Sequence, residues 1–554
     1  LEEDMCMYLN DNAINYSETG AHRLITRDEA YEILRRAEQN GLVHELNVSP
    51  GYEDTTAICN CCGCSCFALR IATYFQAPDA VRTNFIARVD KDRCVACGQC
   101  VENCQVNAVK LGQKLCPRPA NEPRPAETPR NTLWTSKRHT PDYRTTRTDI
   151  MPEGTAPCKA ACPAHVPVQG YLKMVDEGRY DEALALIKEY NPLPAVCGRI
   201  CHRPCEMACL RGKVDEALAI DDVKCALAER DLRSGAPYVP KLRNPRGIPY
   251  EEKIAVIGSG PAGLSCAFYL ARMGYPVTVF EKEQQPGGLL RSEIHAARLP
   301  AELLDREINV IRRMGVSFRT GVAVGKDLKL DALRKEGYRA FFLAVGAGAA
   351  SLPEGMEPKD AMARVGLGRK PELEDFALAG SDRGFVRVDA KTGQTSEPDV
   401  FAGGDVTGPN YAIFAIAAGK KAAESIHRYV HEGQEQVLGR DPGDYRAFSR
   451  SNAQLPLVRA HIAERQRPAA DRCLTDEQMQ TEVRRCLGCG TAVVDEFMCV
   501  GCGICTTKCK FDAIRLEKIH DADNLEYFHT LGRIVGHVPT IGANIVKKQF
   551  GKIG

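Results

Sequence analysis

Only one tryptophan, Trp134, occurs in 554 residues, and aromatic side chains make up 6% of the chain. An excess of either charge is also missing, because 73 basic residues face 72 acidic ones. That balance leaves no polybasic footprint for nucleic acid or an anionic membrane, and points to proteins and small molecules as partners. Long apolar runs are lacking as well. Stretches such as Ile254 to Ile257 and Phe341 to Val345 fall far short of the ~20 residues that cross a bilayer, so no transmembrane segment is expected. No basic start leads into an apolar h-region, so the expectation is a cytoplasmic chain whose cysteines are not spent on disulfides. A G-x4-G-K-[ST] loop, an H-E-x-x-H helix and a G-x-S-x-G elbow are all missing, and no catalytic side-chain set stands out.

What abounds is cysteine, 26 residues, most of them in short-period runs. One run reads Cys94-x2-Cys97-x2-Cys100-x3-Cys104, and it recurs as Cys499-x2-Cys502-x2-Cys505-x3-Cys509. Iron–sulfur cubes take soft thiolates, and gaps of two and three let one tight loop deliver three ligands while the fourth cysteine often serves a neighbouring cube. Both runs resemble the bacterial ferredoxin signature for a [4Fe-4S] cluster. Structural zinc, the other reading of four cysteines, usually shows two separated C-x2-C pairs. Each run departs from the signature once, with Gln105 or Lys510 following the fourth cysteine where proline is common. A second cluster beside the first run is expected from Cys59, Cys61, Cys62, Cys64, Cys66 and Cys116. One beside the second run is expected from Cys486-x2-Cys489 with Cys473 as a further candidate, the pairing being open.

Between these ends stand Cys158-x3-Cys162 and Cys197-x3-Cys201-x3-Cys205-x3-Cys209. Successive three-residue gaps line thiols along one side of a loop–helix turn, where they can converge with the earlier pair. The texts PCKAACPAHVPVQGYL and NPLPAVCGRICHRPCEMACLRG resemble the amino-terminal helical iron–sulfur domain of the glutamate synthase small subunit family, which dihydropyrimidine dehydrogenase and flavin-based bifurcating transhydrogenases share. The resemblance implies [4Fe-4S] clusters here, served partly by a C-x2-C pair just upstream. This chain has Ile150 to Gly154 in that place. Cys225 reads either as another ligand or as a buried packing residue, and His165 and His202 as polar loop residues.

Lys253-Ile-Ala-Val-Ile-Gly258-Ser-Gly260-Pro261-Ala262-Gly263 is a strand running through a glycine-rich turn into a helix. Gly258 allows the turn, Gly260 lets backbone approach a pyrophosphate, and Gly263 lets helix and strand pack closely, with the helix amino terminus facing the phosphates. Glu281 closes the next strand before Lys282, where it can accept hydrogen bonds from a ribose. Two later pieces resemble the disulfide-reductase-like flavoproteins and imply FAD: Gly287-Gly288-Leu289 after the acid, and Phe-Ala-Gly-Gly404-Asp405, whose aspartate holds the ribityl chain in that family. Leu343-Ala-Val-Gly346-Ala-Gly348 is the intervening strand end. Such flavoproteins carry a second glycine fingerprint for NAD(P)H between these pieces. Here only about fifty residues separate Ser351 from Phe401, so that subdomain is expected to be absent, or missing from this sequence near 351–365.

The expected fold class is multidomain α/β and α+β: an FAD-binding doubly wound α/β domain, a helical iron–sulfur domain and terminal ferredoxin-like modules. The expected boundaries are an iron–sulfur region with a ferredoxin-like module over 1–116, a linker over 117–156, the helical domain over 157–245 and the FAD domain over 250–432. A connector over 433–472, a carboxy-terminal ferredoxin-like module over 473–520 and a tail over 521–554 complete it. Helices are expected after the capping pattern Thr26-x-x-Glu29, through Gly170 to Tyr190, and from about Thr475 to Arg485. The cofactors implied are FAD and about four to six [4Fe-4S] clusters, with NAD(P)H as a candidate substrate. The expected role is an electron-transfer subunit of an anaerobic complex, passing electrons between NAD(P)H, FAD and ferredoxin-type clusters, with flavin-based bifurcation as one mode. NADH-dehydrogenase-like or hydrogenase-like subunits and ferredoxin are the expected partners. The alternatives are a glutamate synthase small-subunit-type NADPH-oxidising subunit and a non-catalytic iron–sulfur relay.

Overall fold

The computed structural model describes most of residues 6–112, 155–347, 385–437 and 464–519. Cys64, Cys116, the linker up to residue 154, the 351–365 region and most of the connector and tail lie outside the described residues. Twelve strands are assigned among the described residues. They are β1 (Met7–Tyr8), β2 (Val43–Asn47), β3 (Ala57–Cys61), β4 (Phe85–Val89), β5 (Val109–Gly112), β6 (Lys253–Ile257), β7 (Val277–Glu281), β8 (Ser317–Thr320), β9 (Tyr338–Leu343), β10 (Val400–Ala402), β11 (Thr491–Val494) and β12 (Ile514–Lys518).

The chain divides into two compact units, and both are discontinuous. One holds residues 1–155, 438–448 and 488–554; the other holds 156–437 and 449–487. This differs from the sequence expectation of a ferredoxin-like module at each end. Strand β4 pairs antiparallel with β12, and β5 with β11, so both cysteine runs share the first unit and one hydrophobic core containing Ile86, Val109, Cys100, Cys499, Ile504 and Cys505. Across β4 and β12, Arg88 sits opposite Arg515 in register and reaches Glu517 at 3.0 Å, which relieves the like-charge pair. A third, three-stranded sheet in the order β1-β3-β2 completes this unit. The helix Arg27–Gln39 packs beside it and carries the capping box expected at Thr26 and Glu29.

In the second unit, the five strands run parallel in the order β10-β9-β6-β7-β8. Such a sheet is covered on both faces, so its strands read as unbroken apolar text: Ile254, Ala255 and Val256 of β6 and Phe341, Phe342 and Leu343 of β9 are fully buried. The helices Pro261–Met273 and Ala412–Val430 lie against one another so closely that a side chain at Gly419 would sit 2.3 Å from the Ala262 carbonyl oxygen. Helical residues from Pro157 to Arg233 fall in the same compact unit. The helix expected over Gly170 to Tyr190 is two helices, Val168–Asp176 and Tyr180–Lys188. Gly178, at φ +74°, ends the first, with its N–H bonded to Val175 and that of Arg179 to Met174, a left-handed cap that apolar periodicity does not register. Asp476–Val483, capped by Thr475 and Gln478, also packs in this unit, outside the carboxy-terminal module expected over 473–520.

Candidate functional site

The two cysteine runs of the first unit fold alike residue by residue. Each has a positive φ two residues after its first cysteine (Ala96 and Gly501), four after it (Gly98 and Gly503) and three after its last (Asn107 and Asp512). Backbone N–H groups are turned onto the sulfurs at matching places: Ala108 N–H donates to Cys104 Sγ at 3.2 Å and Ala513 N–H to Cys509 Sγ at 3.4 Å. Ala492, on β11, donates to Cys94 Sγ at 3.1 Å from the far end of the sequence. The thiols also interleave. Burial pushes Cys100 well up, and Cys97, Cys94, Cys505 and Cys509 add to it, whereas Cys505 is raised by burial and then by Cys502, Cys104 and Cys499. Burial brings Cys502 to about 12, helped by Cys104 and Cys499. Soft, buried, mutually repelling thiols that receive N–H donors suit a multi-iron cube, which takes the thiolate charge and whose potential such donors tune.

Beside them, β1 and β3 bring Cys6, Cys59 and Cys61 within hydrogen-bonding distance of one another, with Cys66 bonded to Cys61. Cys6 was not among the expected ligands; it stands alone in the sequence, and only the pairing of Met7 with Ile58 brings it in. Cys62 packs against Ala37 and Leu42. Glu45, half-buried and 3.5 Å from Cys66 Sγ, is pushed up to about 8 by its partial burial and then by that sulfur. Gln105, the departure from proline, explains itself here. Its side chain accepts from Gly63 N–H at 2.7 Å and donates to the Gly41 carbonyl at 3.1 Å, tying the Cys59–Cys66 segment to the first run.

In the second unit, Cys158 and Cys162 lie on and just after the helix Pro157–Ala161. Cys197 lies on and Cys201 just after Pro194–Ile200, Cys205 lies on Pro204–Met207, and Cys209 follows two residues later. Cys162 acts electrostatically on Cys201 and Cys205, so these three thiols face a common space. Lys224 and Asp221, paired and buried on the helix Ile220–Arg233, join them. Burial pushes the Lys224 ammonium down, but Asp221 and the sulfurs of Cys197, Cys201 and Cys205 carry it well above its ordinary range. Sequence reading passed over both, since lysine and aspartate carry no cluster signature. Arg485 is buried against Glu482, Asp215 and the Glu216 carbonyl, and fixes the start of the Cys486–Cys489 segment; Cys486 is half-buried and Cys489 buried. His165, at φ +49°, turns its ring onto the Lys159 carbonyl.

The same unit builds the nucleotide cradle. Gly258, at φ +99°, follows β6 where a β-carbon would lie 2.3 Å from the Ala344 carbonyl oxygen, and one at Gly263 would lie 1.9 Å from that of Gly258. Gly260, the amino-terminal cap of the Pro261–Met273 helix, has open space where a side chain would stand, and no side chain caps that helix. The helix therefore presents Ala262 and neighbouring N–H groups to an anion. Glu281, at the end of β7 and 5% exposed, accepts from Ser259 N–H at 2.9 Å and from its hydroxyl, and with its other oxygen from Glu283 N–H at 3.0 Å. Gly287 N–H donates to Ser259 Oγ at 2.9 Å and Gly288 rests on Gly260, so this pair folds over the turn; Leu289 begins the next helical turn and Lys282 is exposed. At the far side Gly346 borders open space, Gly404 touches Ala262, and Asp405 accepts from Asn410 N–H at 3.1 Å. The cradle thus suits the phosphates of a dinucleotide at the helix terminus, with Asp405 at its far side.

Contacts join the cradle to the loops that carry the cysteines. The ring of His202, next to Cys201, stacks on Tyr411 at 3.9 Å, six residues beyond Asp405, while Arg298 donates to the Arg199 carbonyl at 3.0 Å.

Known proteins share these parts. Residues 153–235 match the family described as dihydropyrimidine dehydrogenase domain II, 4Fe-4S cluster; 256–318 match the NAD(P)-binding Rossmann-like domain; 87–110 and 492–515 match the 4Fe-4S binding domain. The chain therefore carries, in order, a stretch similar to a helical 4Fe-4S cluster domain and a Rossmann-like nucleotide-binding domain, with 4Fe-4S binding segments before and after them, as the resemblance in its sequence implied. It is 40% identical over 286 residues to the NADPH-Fe(3+) oxidoreductase subunit beta of Geobacter sulfurreducens, covering 51% of this chain and 38% of that one. It is 38% identical over 214 residues to the NADP(+)-dependent formate dehydrogenase subunit beta of Moorella thermoacetica, 36% of this chain and 30% of that one. Identity is 36% over 193 residues to the NAD-dependent dihydropyrimidine dehydrogenase subunit PreT of Salmonella typhimurium, 34% and 45% of the two chains. The chain spans less than half the length of these relatives. No helix among the described residues is long and apolar enough to cross a membrane.

Proposed function

We propose that this chain is an electron-transfer subunit of an oxidoreductase complex, with FAD in the cradle and [4Fe-4S] clusters in both units, moving electrons between NAD(P)H and ferredoxin-type acceptors. The observation that carries this reading is the His202–Tyr411 stack, because it puts the loop of Cys201 against the loop that closes the cradle. In the second unit Cys162, Cys201 and Cys205 hold one cluster with Lys224 beside it, and Cys158, Cys209 and Cys486 are assigned to another. In the first unit each cube takes three cysteines of one run and the last of the other: Cys94, Cys97, Cys100 with Cys509, and Cys499, Cys502, Cys505 with Cys104. Flavin supplies the exchange of a two-electron hydride for single electrons. The residues supply the rest: the Pro261–Met273 helix terminus binds phosphate, Glu281 orients the ribose, Asp405 the ribityl chain, and buried N–H donors set the cluster potentials.

Anaerobically purified protein is expected to contain one FAD per chain together with iron and acid-labile sulfide in equal amounts. Iron without flavin would reduce the chain to a relay. Zinc without sulfide would sink the reading altogether. Asp405→Ala is expected to lower flavin occupancy at least tenfold while leaving iron unchanged, since a hydrogen bond to a charged group is worth about 1.5–3 kcal/mol.

A further inference from the structure

Outside the sites above, two cysteines meet across the second unit. Cys225, buried on the helix Ile220–Arg233, and Cys473, half-buried two residues before the Thr475 cap, approach with their sulfurs 2.8 Å apart. Glu229, one turn beyond Cys225, accepts from the Cys225 thiol at 3.5 Å. Arg199 donates to Glu229 at 2.8 Å, and its other end stands 3.9 Å from Cys473 Sγ. The four groups come from three separate stretches of chain: two sulfurs in contact, a carboxylate on the buried one and a guanidinium on the accessible one, with Arg233 holding the other oxygen of Glu229.

The atoms of Cys225, Glu229 and Cys473 lie within 4.8 Å of one another, as ligands of one metal ion also do. Two features favour thiol chemistry over a cation. Thiolates bound to one tetrahedral zinc sit about 3.8 Å apart, given Zn–S bonds of about 2.3 Å, and here they are closer. Arg199 also brings a fixed positive charge to the place a cation would approach. The same guanidinium is well placed for exchange, in which the attacking sulfur is an anion.

We propose that Cys225 and Cys473 form a reversible dithiol–disulfide site that reacts with low-molecular-weight disulfides and, when oxidised, fastens the 473–483 segment to the Ile220–Arg233 helix. The accessible Cys473 thiol gives its proton to solvent and its sulfur attacks one sulfur of the small disulfide, breaking the small S–S bond, forming a mixed disulfide and releasing the first small thiolate. Cys225 then gives its proton to Glu229 and attacks Cys473 Sγ, which forms the internal bond and releases the second small thiolate. Glu229 passes its proton to solvent, where the thiolates are protonated. Two protein thiols are thereby oxidised and one small disulfide is reduced to two thiols. The Ile220–Arg233 helix also carries Lys224, so the bond would pin the helix that stands beside Cys201 and Cys205.

Trypsin isolates each partner in a peptide with no other cysteine, residues 225–230 and 473–484. The full chain, held anaerobically in mixtures of reduced and oxidised glutathione, then unfolded, alkylated and digested, is expected to lose both alkylated peptides with one shared midpoint as a single cross-linked pair accumulates. In Cys473→Ser, and equally in Cys473→Ala, residues 225–230 should remain alkylated at every ratio, a loss of protection of at least tenfold, with iron content unchanged. The proposal is overturned if glutathione accumulates on Cys473 while Cys225 stays alkylated, if neither peptide responds to the mixtures, or if the reduced wild type holds one zinc per chain that Cys473→Ser loses. The wild-type map decides by itself should either variant fail to fold.

Discussion

Single positions in the cradle separate what the fold needs from what the cofactor needs. Gly263 is pressed against the Gly258 carbonyl, whereas Gly260 has nothing within 4 Å of the place a β-carbon would occupy. Gly263→Ala is therefore expected to destabilise the unit by several kcal/mol, since backbone must move to relieve the overlap. Gly260→Ala should fold with a melting temperature close to wild type and yet retain little flavin, its methyl standing where the pyrophosphate belongs. Equal flavin retention in Gly260→Ala and wild type would remove the dinucleotide from this cradle. Glu307 gives a pH signature. Its carboxylate caps the Pro194–Ile200 helix, accepting from Ala195 and Val196 N–H at 3.0 and 2.9 Å, but burial pushes it up to about 7. A carboxyl group raised above its unfolded value binds its proton more tightly in the native state, so its contribution is full below about pH 4.5 and is lost as pH rises through about 7. That loss is on the order of 3 kcal/mol. Anaerobic melting curves should show wild-type stability dropping over that window, and Glu307→Gln, which cannot ionise, should lack this part of the slope. The glycines and Glu281 were legible in the sequence because their roles are local. Glu307 and Lys224 were not, because an acid and a base on helices take their meaning from what packs around them.

At the level of elements, β4 with β12 and β5 with β11 make one cluster-binding unit from segments about 400 residues apart in the chain, and this sets how ligand losses should spread. If each cube belonged to its own run, Cys509→Ser would disturb only the cluster of Cys499, Cys502 and Cys505. The interleaving of the thiols gives the opposite expectation: Cys509→Ser should change the spectrum of the cube held by Cys94, Cys97 and Cys100, and Cys104→Ser that of the other. Electron paramagnetic resonance of the reduced variants distinguishes the two, with Cys97→Ser and Cys502→Ser as references for each cube. Gln105 tests the seam beside them. Gln105→Ala removes two hydrogen bonds to partly buried backbone, and should cost about 1–3 kcal/mol and loosen the Cys59–Cys66 segment, seen as faster amide exchange there, while leaving the ferredoxin-type cubes in place. The runs themselves announce iron and sulfur because ligand spacing is a local property. Their union is invisible in the letters, since strands of four or five residues carry no record of which distant strand they pair with. The break at Gly178 was similarly hidden: Leu172, Val175, Leu184 and Ile187 keep helical spacing across a turn that one glycine imposes.

For the whole molecule, connectivity matters more than domain order. The chain leaves the first unit at Thr155, builds the nucleotide cradle and the helical cysteine sites, touches the first unit again over 438–448, and returns at Gly488 to finish it. A sequence read from left to right counts that unit twice, once at each end. The two units also divide the proposed labour, with flavin and the Cys162–Cys201–Cys205 set in one and the ferredoxin-type cubes in the other. Charge beside the helical set should tune the step out of the cradle. Reduction adds negative charge to a cluster, so the buried Lys224 ammonium raises its potential and the Asp221 carboxylate lowers it. Lys224→Met is accordingly expected to shift that cluster downward by on the order of 100 mV, and Asp221→Asn to shift it upward, the size following from a unit charge about 6 Å away at an effective dielectric constant near 20. In both variants the cubes of the first unit should keep their potentials. An anaerobic redox titration followed by electron paramagnetic resonance reads all the clusters in one experiment. Opposite shifts confined to one signal support the division, whereas a shared shift of every signal, or none, would show that Lys224 and Asp221 do not face a cluster.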